Sequence, residues 1–285
     1  NDIKQQCLTT TDGKNVTPWR YFPAAYSALE RYLLPQFAQI LSCHTGSLEL
    51  YRQLYPHLAD RISYIQNSFD NEAFYPLSSS ERSQQRRSFA QHLNLPQETK
   101  FVLFAGRLQP QKDPILLIQS IAALNQPNTH LLIAGDGEMA INIQAEAVRL
   151  GISDRVTLLG AQATEELAKL YQIAHVLILT SSFEGLPVVV LEALASGTPI
   201  ITTDCGDTPR LLTSNTGLVC RDRLAPTIAD ALHQMLQSPE RYPSNACVQL
   251  ASRYTARTII TQQYNEMRSR WEQRNSIQRL PSYRS

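Results

Sequence analysis

The sequence predicts an α/β protein built on a doubly wound parallel sheet, and three observations carry that reading. From Phe101 onward, short apolar runs alternate strictly with helix-like stretches. The runs are continuously apolar, as strands covered on both faces must be. No run repeats another, and strand, helix, strand in succession implies right-handed crossovers within one sheet.

In chain order, strands are expected at Phe101–Ala105, His130–Ala134, Arg155–Leu159, His175–Thr180, Pro199–Thr203 and Gly217–Cys220. Helices are expected between them at Pro114–Leu124, Glu138–Leu150, Glu165–Ile173 and Pro187–Ser196, with a further one at Ala225–Leu236. The stretch from Pro187 is the ambiguous one. Val188, Val189 and Val190 favour a strand, but Pro187 suits a first helical turn, "LEALAS" is strongly helical, and Gly197 is a natural stop. The helix wins because its β-branched cost is only about a few tenths of a kcal/mol per residue, which packing on a sheet offsets.

The residues before Phe101 read differently. Leu29, Leu33, Phe37 and Ile40 make one helical stripe, and Leu48, Tyr51, Tyr55 and Leu58 another. Arg61–Ile65 is a single strand candidate, and the polar stretch Ser78–Arg87 reads as a linker. At the far end, Ile260, Tyr264, Met267 and Trp271 share one face of an amphipathic helix followed by a loose tail.

Composition narrows the partners. The chain has 285 residues, with 26 Lys and Arg against 25 Asp and Glu. That balance creates no global field for nucleic acid or an anionic membrane. Cys7, Cys43, Cys205, Cys220 and Cys247 are scattered without a C-x-x-C pair, which points to reduced thiols in a cytoplasmic protein. No run reaches the roughly 18–20 apolar residues of a membrane-spanning helix, and no signal peptide is visible. A start at Asn1 reads as a processed or truncated chain.

Three loops gather at the carboxyl edge of the expected sheet, where open α/β folds bind ligands. "SSFEGLPVVVLEALASG" places Glu184 ahead of a helix whose first N–H groups, from Gly185, Leu186 and Val188, suit phosphate oxygens. Glu192, further into that helix, is suited to accept hydrogen bonds from sugar hydroxyls. On spacing alone, a solvated Glu184 and a salt-bridged Glu192 fit as well. "FAGRLQPQKDP" sets Gly106, Arg107 and Lys112 after the first strand. Arg can grip phosphate with two parallel N–H bonds and Lys adds a mobile point charge. "IAGDGE" contributes Gly135 and Gly137 for tight turning, but it is not G-x-G-x-x-G, so it carries little dinucleotide signal. No carboxylate pair or His/Cys cluster has convincing metal spacing.

In this order, "FAGRLQPQKDP", "HLLIAGDGE", "RVTLLGA", "LYQIAHVLILTSSFEGLPVVVLEALASGTPIITTD" and "TGLVC" resemble the donor-binding half of the retaining glycosyltransferases of family 4, which have the GT-B fold. Upstream, "HTGSLELYRQL" and "RISYIQNSFDNEAFYP" resemble the end of that family's first domain. The resemblance implies residues 1–77 as a truncated, mostly helical remnant of the acceptor-side domain and 78–100 as a linker. Residues 101–250 would be the donor domain, and 251–285 a helix packing back toward the first domain, plus a tail.

It also implies transfer of a sugar from a UDP-, GDP- or ADP-linked donor to a saccharide or lipid-linked acceptor, with retention and without a metal or other cofactor. Arg107 and Lys112 would hold the diphosphate and Glu184 the transferred sugar. The backbone of Gly185, Leu186 and Val188 would meet phosphate, Glu192 the ribose, and the strand end at Leu159 the nucleobase. Polysaccharide or glycolipid assembly would be the setting. Arg253, Arg257, Arg268, Arg270 and Arg274 would permit peripheral contact with the inner membrane face, although packing of that helix against the first domain fits its stripe better.

Departures from the family pattern are Arg210 in "CGDTPRLL", where relatives favour Glu, and Gln66-Asn67-Ser68 in place of Pro-Asn-Gly. The histidines read as structural or surface residues. Two rivals remain at this level: a nucleotide-sugar binding module without transferase activity, and a sugar-nucleotide epimerase, against which Glu-Gly-Leu-Pro argues.

Overall fold

The computed structural model describes residues 23–278; residues 1–22, with Cys7, and 279–285, with the expected tail, lie outside the described residues. The chain divides into two units between Gln66 and Asn67.

In the first unit, helix α1 (Pro23–Leu33) leads to strand β1 (Ile40–Ser42), helix α2 (Thr45–Leu54) and strand β2 (Ile62–Tyr64). The strands pair in parallel, Ile40 opposite Ile62. The stripe from Leu29 to Ile40 is therefore not one helix. Pro35 lies in a 3₁₀ turn, Leu34–Gln36, that ends the helical run, and Ile40 belongs to a strand the pattern did not disclose. The second stripe also breaks, at Leu54, because Pro56 disfavours helical backbone in the residue before it. Tyr55, Leu58 and Ile62 form a small core. The buried carboxylate of Glu30 accepts from the Tyr51 and Tyr55 hydroxyls at 2.6 and 3.1 Å.

Residues 67–77, expected with the first region, group with the second unit, and Phe69 and Phe74 are buried in its core. The expected linker is mostly helix α3 (Ser79–His92), started by a capping box in which Ser78 and Glu81 satisfy each other's backbone N–H groups. Its polarity disguised it, for only Ala90 is buried along its length.

Beyond α3 the expected alternation is present. Strand β3 (Lys100–Ala105) is followed by α4 (Pro114–Leu124), β4 (Thr129–Ala134), α5 (Ala140–Arg149), β5 (Val156–Gly160) and α6 (Thr164–Ile173). Then come β6 (Val176–Leu179), α7 (Val188–Ala195), β7 (Ile200–Thr203), a short α8 (Thr208–Leu211), β8 (Gly217–Cys220) and α9 (Ala225–Gln237). Helices α10 (Ser244–Ala251) and α11 (Ala256–Gln278) complete the described chain. Pro187 precedes α7 in extended conformation rather than occupying its first turn. The strands are all parallel, in the order β5-β4-β3-β6-β7-β8.

Both faces of the sheet are covered, which explains the unbroken apolar runs. Phe101, Leu103 and Ala105 of β3 enter one core with Leu177 and Leu191, while Val102 and Phe104 enter the other with Ile178 and Ile118. Fully burying a side chain of this size contributes about 1.5–3 kcal/mol, so the burial of Val190, Leu191 and Leu194 is enough to hold the helix against the β propensity of its three valines, of which Val188 is exposed.

On α11, Ile260, Tyr264, Met267 and Trp271 are exposed. The basic character of this segment is partly neutralised, since Arg268 faces Glu272 at 3.7 Å and Arg270 faces Glu266 at 2.9 Å. The Arg274 side chain lies outside the described residues. No described helix is long and apolar enough to cross a membrane.

Candidate functional site

The strand order reverses between β3 and β6: the chain winds outward from β3 to β5, then returns and winds the other way from β6 to β8. A crevice forms at such a point because successive connections leave in opposite directions. The loops that flank it, Gly106–Asp113 after β3 and Thr180–Pro187 after β6, hold most of the residues singled out by sequence.

The two loops are fastened together. Lys112 Nζ makes a short ion pair with Glu184 Oε1, with side chains 17% and 9% exposed. Ser181 Oγ donates to the same carboxylate oxygen at 2.6 Å. Gln111 Nε2 donates to Phe183 O at 2.7 Å, and the Ser182 N–H to Gln111 O at 2.8 Å. Thr180 Oγ1 reaches Lys112 O and Asp113 O, each at 2.9 Å. Asp113 holds a left-handed conformation, φ 45°, and caps α4 by accepting from the Leu116 N–H at 3.2 Å. Its other oxygen takes Arg223 Nη2 at 2.5 Å. The Lys112 backbone is thus fixed from several sides before any ligand arrives.

Behind Glu184 the chain is crowded. A Cβ on Gly206, whose φ is +67°, would lie 2.5 Å from both Glu184 O and Gly185 O. The Asp207 N–H donates to Gly185 O at 2.9 Å, and Asn67 Nδ2 to Leu186 O at 2.7 Å. These contacts engage the carbonyls of Gly185 and Leu186. Among the described residues, the N–H groups of Gly185, Leu186 and Val188 find no acceptor. Val188 opens α7, and Gly185 and Leu186 stand in the turn just before it, at the end where a helix carries roughly half a unit of positive charge. Donors without acceptors at such a place suit an anion.

The other expected residues fall as follows. Arg107 is exposed, and its side chain makes no hydrogen bond or ion pair among the described residues. Gly106 and Gly135 stack two adjacent loops, the Gly106 N–H donating to Ala134 O at 3.0 Å. A Cβ on Gly135 would fall 1.8 Å from Gly106 O. Leu159 is half-buried near the end of β5 and packs on the core. Glu192 is half-buried on α7, and burial pushes its carboxyl above the usual range, an effect partly offset by the Tyr171 hydroxyl donating to Oε2 at 3.0 Å.

Tyr171, Ser181, Gln111, Asp113 and Asn67 were not singled out as site residues. Their partners are distant in sequence, so only the strand order reveals them. Asn67 did carry a signal, standing in the turn where the family favours Pro-Asn-Gly. Arg210 lies on α8 at 4.0 Å from Asp207. His44 caps α2 through Nδ1, and the half-buried His175 accepts the Phe101 N–H at 3.0 Å. Among the described residues no group of three or more His, Cys, Asp or Glu side chains is arranged to hold a metal ion, and Cys43, Cys205, Cys220 and Cys247 are free.

Both loops of this site lie inside the stretch that a family model matches. The family model for glycosyl transferases group 1 matches residues 85–249. A D-inositol 3-phosphate glycosyltransferase of Corynebacterium glutamicum is 34% identical over 191 residues, covering 64% of this chain and 44% of that protein. The chain spans about half, or less, of the length of the curated relatives it matches. Among solved structures, sucrose-phosphate synthase from Thermosynechococcus elongatus is similar with TM-score 0.74 and 22% identity, over 90% of this chain and 64% of that one. HepE from Anabaena, in complex with UDP and glucose, gives TM-score 0.74 and 21% identity over 87% and 68%. At these identities the likeness shows the fold, and it is the GT-B type.

Proposed function

The chain belongs to the glycosyl transferases group 1 family, and on that premise we propose that it contributes the donor half of a retaining glycosyltransferase using a nucleoside diphosphate sugar. The single observation that carries this reading is the cluster of groups on the two loops at the strand reversal. It joins a cation, a carboxylate and unused N–H groups at one helix start.

In the proposed reaction the bond between the anomeric carbon and the diphosphate oxygen breaks, and negative charge grows on the departing phosphate. Lys112 and Arg107 would neutralise that charge, with the N–H groups of Gly185, Leu186 and Val188 adding fixed dipoles. Donors already in place stabilise developing charge without reorganising, which is usually the largest catalytic contribution. Glu184 would face the transferred sugar and Glu192 the ribose hydroxyls, with the end of β5 near the base. The HepE complex with UDP and glucose supports a nucleotide sugar as ligand of this fold. Donor binding without a divalent cation, an acceptor of saccharide or lipid-linked type, and a role in polysaccharide or glycolipid assembly at the cytoplasmic membrane face belong to the same proposal.

Calorimetric titration with UDP-, GDP- and ADP-linked sugars tests it, in wild type and in Arg107→Ala, Lys112→Ala and Glu192→Ala. One donor should bind, and each substitution should weaken it by about tenfold or more, the loss expected for a charge-assisted hydrogen bond. Unchanged affinity in all three variants would refute the site.

A further inference from the structure

At the opposite, amino edge of the six-stranded sheet lies a second cavity of about 350 Å³. Its basic lining is Arg82 and Arg86 from α3, Lys100 at the start of β3, and His175 just before β6; Tyr242 adds a phenol, and no carboxylate lines it.

Part of this cluster has a structural explanation. Arg82 donates from Nη1 to Gly197 O at 3.0 Å and from Nη2 to Ser196 O, closing the end of α7. Arg86 donates from Nε to Ile173 O at 2.7 Å and from Nη2 to Ala174 O at 2.8 Å, closing α6. Lys100 Nζ donates to Leu236 O at 2.6 Å, in the last turn of α9. Three helix C-termini thus end on three cations, a favourable match of dipole and charge.

Two things are left over. Each helix end supplies roughly half a negative charge, so three of them offset only about half of the three positive ones. Buried or half-buried charges are ordinarily paired. The second remainder is Arg82 Nε, which is buried and has no hydrogen-bond partner. His175 adds no compensation, because burial and the three neighbouring cations hold its imidazole neutral. Burial and the Arg82 charge lower the Arg86 guanidinium to about 9, which still leaves it charged at neutral pH.

We propose that this amino-edge cavity is a second anion site, which takes a phosphate group, either as inorganic phosphate or as the phosphate of a small sugar phosphate. The excess charge and the space lie together, with the unpartnered Arg82 Nε buried behind them, remote along the strands from the loops assigned to the donor. The inference stands independently of that assignment.

The test uses the whole chain in buffer free of phosphate and sulfate. Thermal unfolding is followed against inorganic phosphate and, separately, glucose 6-phosphate, each with chloride at matched ionic strength as reference. Binding should raise the midpoint saturably by roughly 5 °C, as expected when ligand well exceeds Kd. Equal shifts assign the site to the phosphate group alone, and a larger shift with glucose 6-phosphate assigns it to a sugar phosphate.

Because Arg82→Gln endangers folding, the informative variant is Ser244→Asp. Ser244 Oγ and Arg82 Nη2 would lie 1.8 and 2.9 Å from a Cβ placed on Gly197, so a carboxylate at 244 falls beside the guanidinium. Arg107→Ala/Lys112→Ala, whose donor loops no longer hold phosphate, should keep a phosphate shift, and adding Ser244→Asp to it should leave cooperative unfolding but abolish that shift. A shift no larger than that of chloride overturns the proposal. So does one that survives the added Ser244→Asp or disappears in Arg107→Ala/Lys112→Ala.

Discussion

Replacing Glu184 with Gln should tighten the binding of a nucleoside diphosphate. In the structure Glu184 occupies Lys112, and both side chains are largely shielded, at 9% and 17% exposure. A diphosphate reaching for the same ammonium must share it with a carboxylate and approach a second negative charge in a site that water and salt screen weakly. Gln keeps the shape and can still accept from Ser181 Oγ through its amide oxygen, so the substitution removes charge and little else. A hydrogen bond to a charged group contributes about 1.5–3 kcal/mol. If binding sacrifices half of that, relief amounts to about 1 kcal/mol, or roughly fivefold in Kd. Titration of UDP, which lacks the sugar that Glu184 would face, isolates this effect. The gain should vanish in a Lys112→Ala background, as a double-mutant cycle requires of coupled residues. Equal or weaker binding of UDP by Glu184→Gln would refute the competition.

Tyr171→Phe removes the hydroxyl that steadies Glu192 and should raise the Glu192 pKa further. It should weaken a ribonucleotide by about fivefold at neutral pH and leave a dideoxyribose analogue unaffected; equal losses on both would show mere disruption of packing. His175 is held well below its ordinary pKa by burial and by the charges of Arg86, Lys100 and Arg82. Its contribution to stability is therefore fully present above about pH 6.5 and is lost on acidification toward the folded pKa, with a slope of up to about 1.4 kcal/mol per pH unit. His175→Asn, which can keep an acceptor for the Phe101 N–H, should flatten the dependence of the urea midpoint on pH between 7 and 5.5. An unchanged slope would place the acid sensitivity elsewhere.

The sheet was legible because burial on both faces leaves a mark that one face does not. Phe101–Ala105 and Val176–Leu179 are apolar at every position for a reason visible in the two cores. The helix at Val188 was legible through Pro187 and Gly197, which outweighed three valines. Strand β1 was hidden because three residues carry no period, and Ile40 happens to continue a helical spacing. Helix α3 was hidden because only its last turns, through Phe89 and Ala90, reach the core, and its other attachments are arginines reaching backbone carbonyls. The Ser78 to Glu81 capping pair was the available signal. For the site, residue types and loops could be read, but partnerships could not. Lys112 meets Glu184, and Tyr171 meets Glu192, only once the chain reverses its winding direction between β3 and β6.

Near the beginning of the second unit, Phe69 forms a parallel bridge with Thr255. Its N–H donates to Tyr254 O at 3.1 Å, and its carbonyl receives the Ala256 N–H at 3.0 Å. The two ends of the α/β body are therefore clasped side by side, and a ring is closed in all but covalent connection. Such a body suits cyclic rearrangement. A version joined across the clasp and reopened at the exposed Asn125 turn after α4 would preserve every strand pairing. Like a belt buckled at Phe69, it can be cut elsewhere without loosening the sheet.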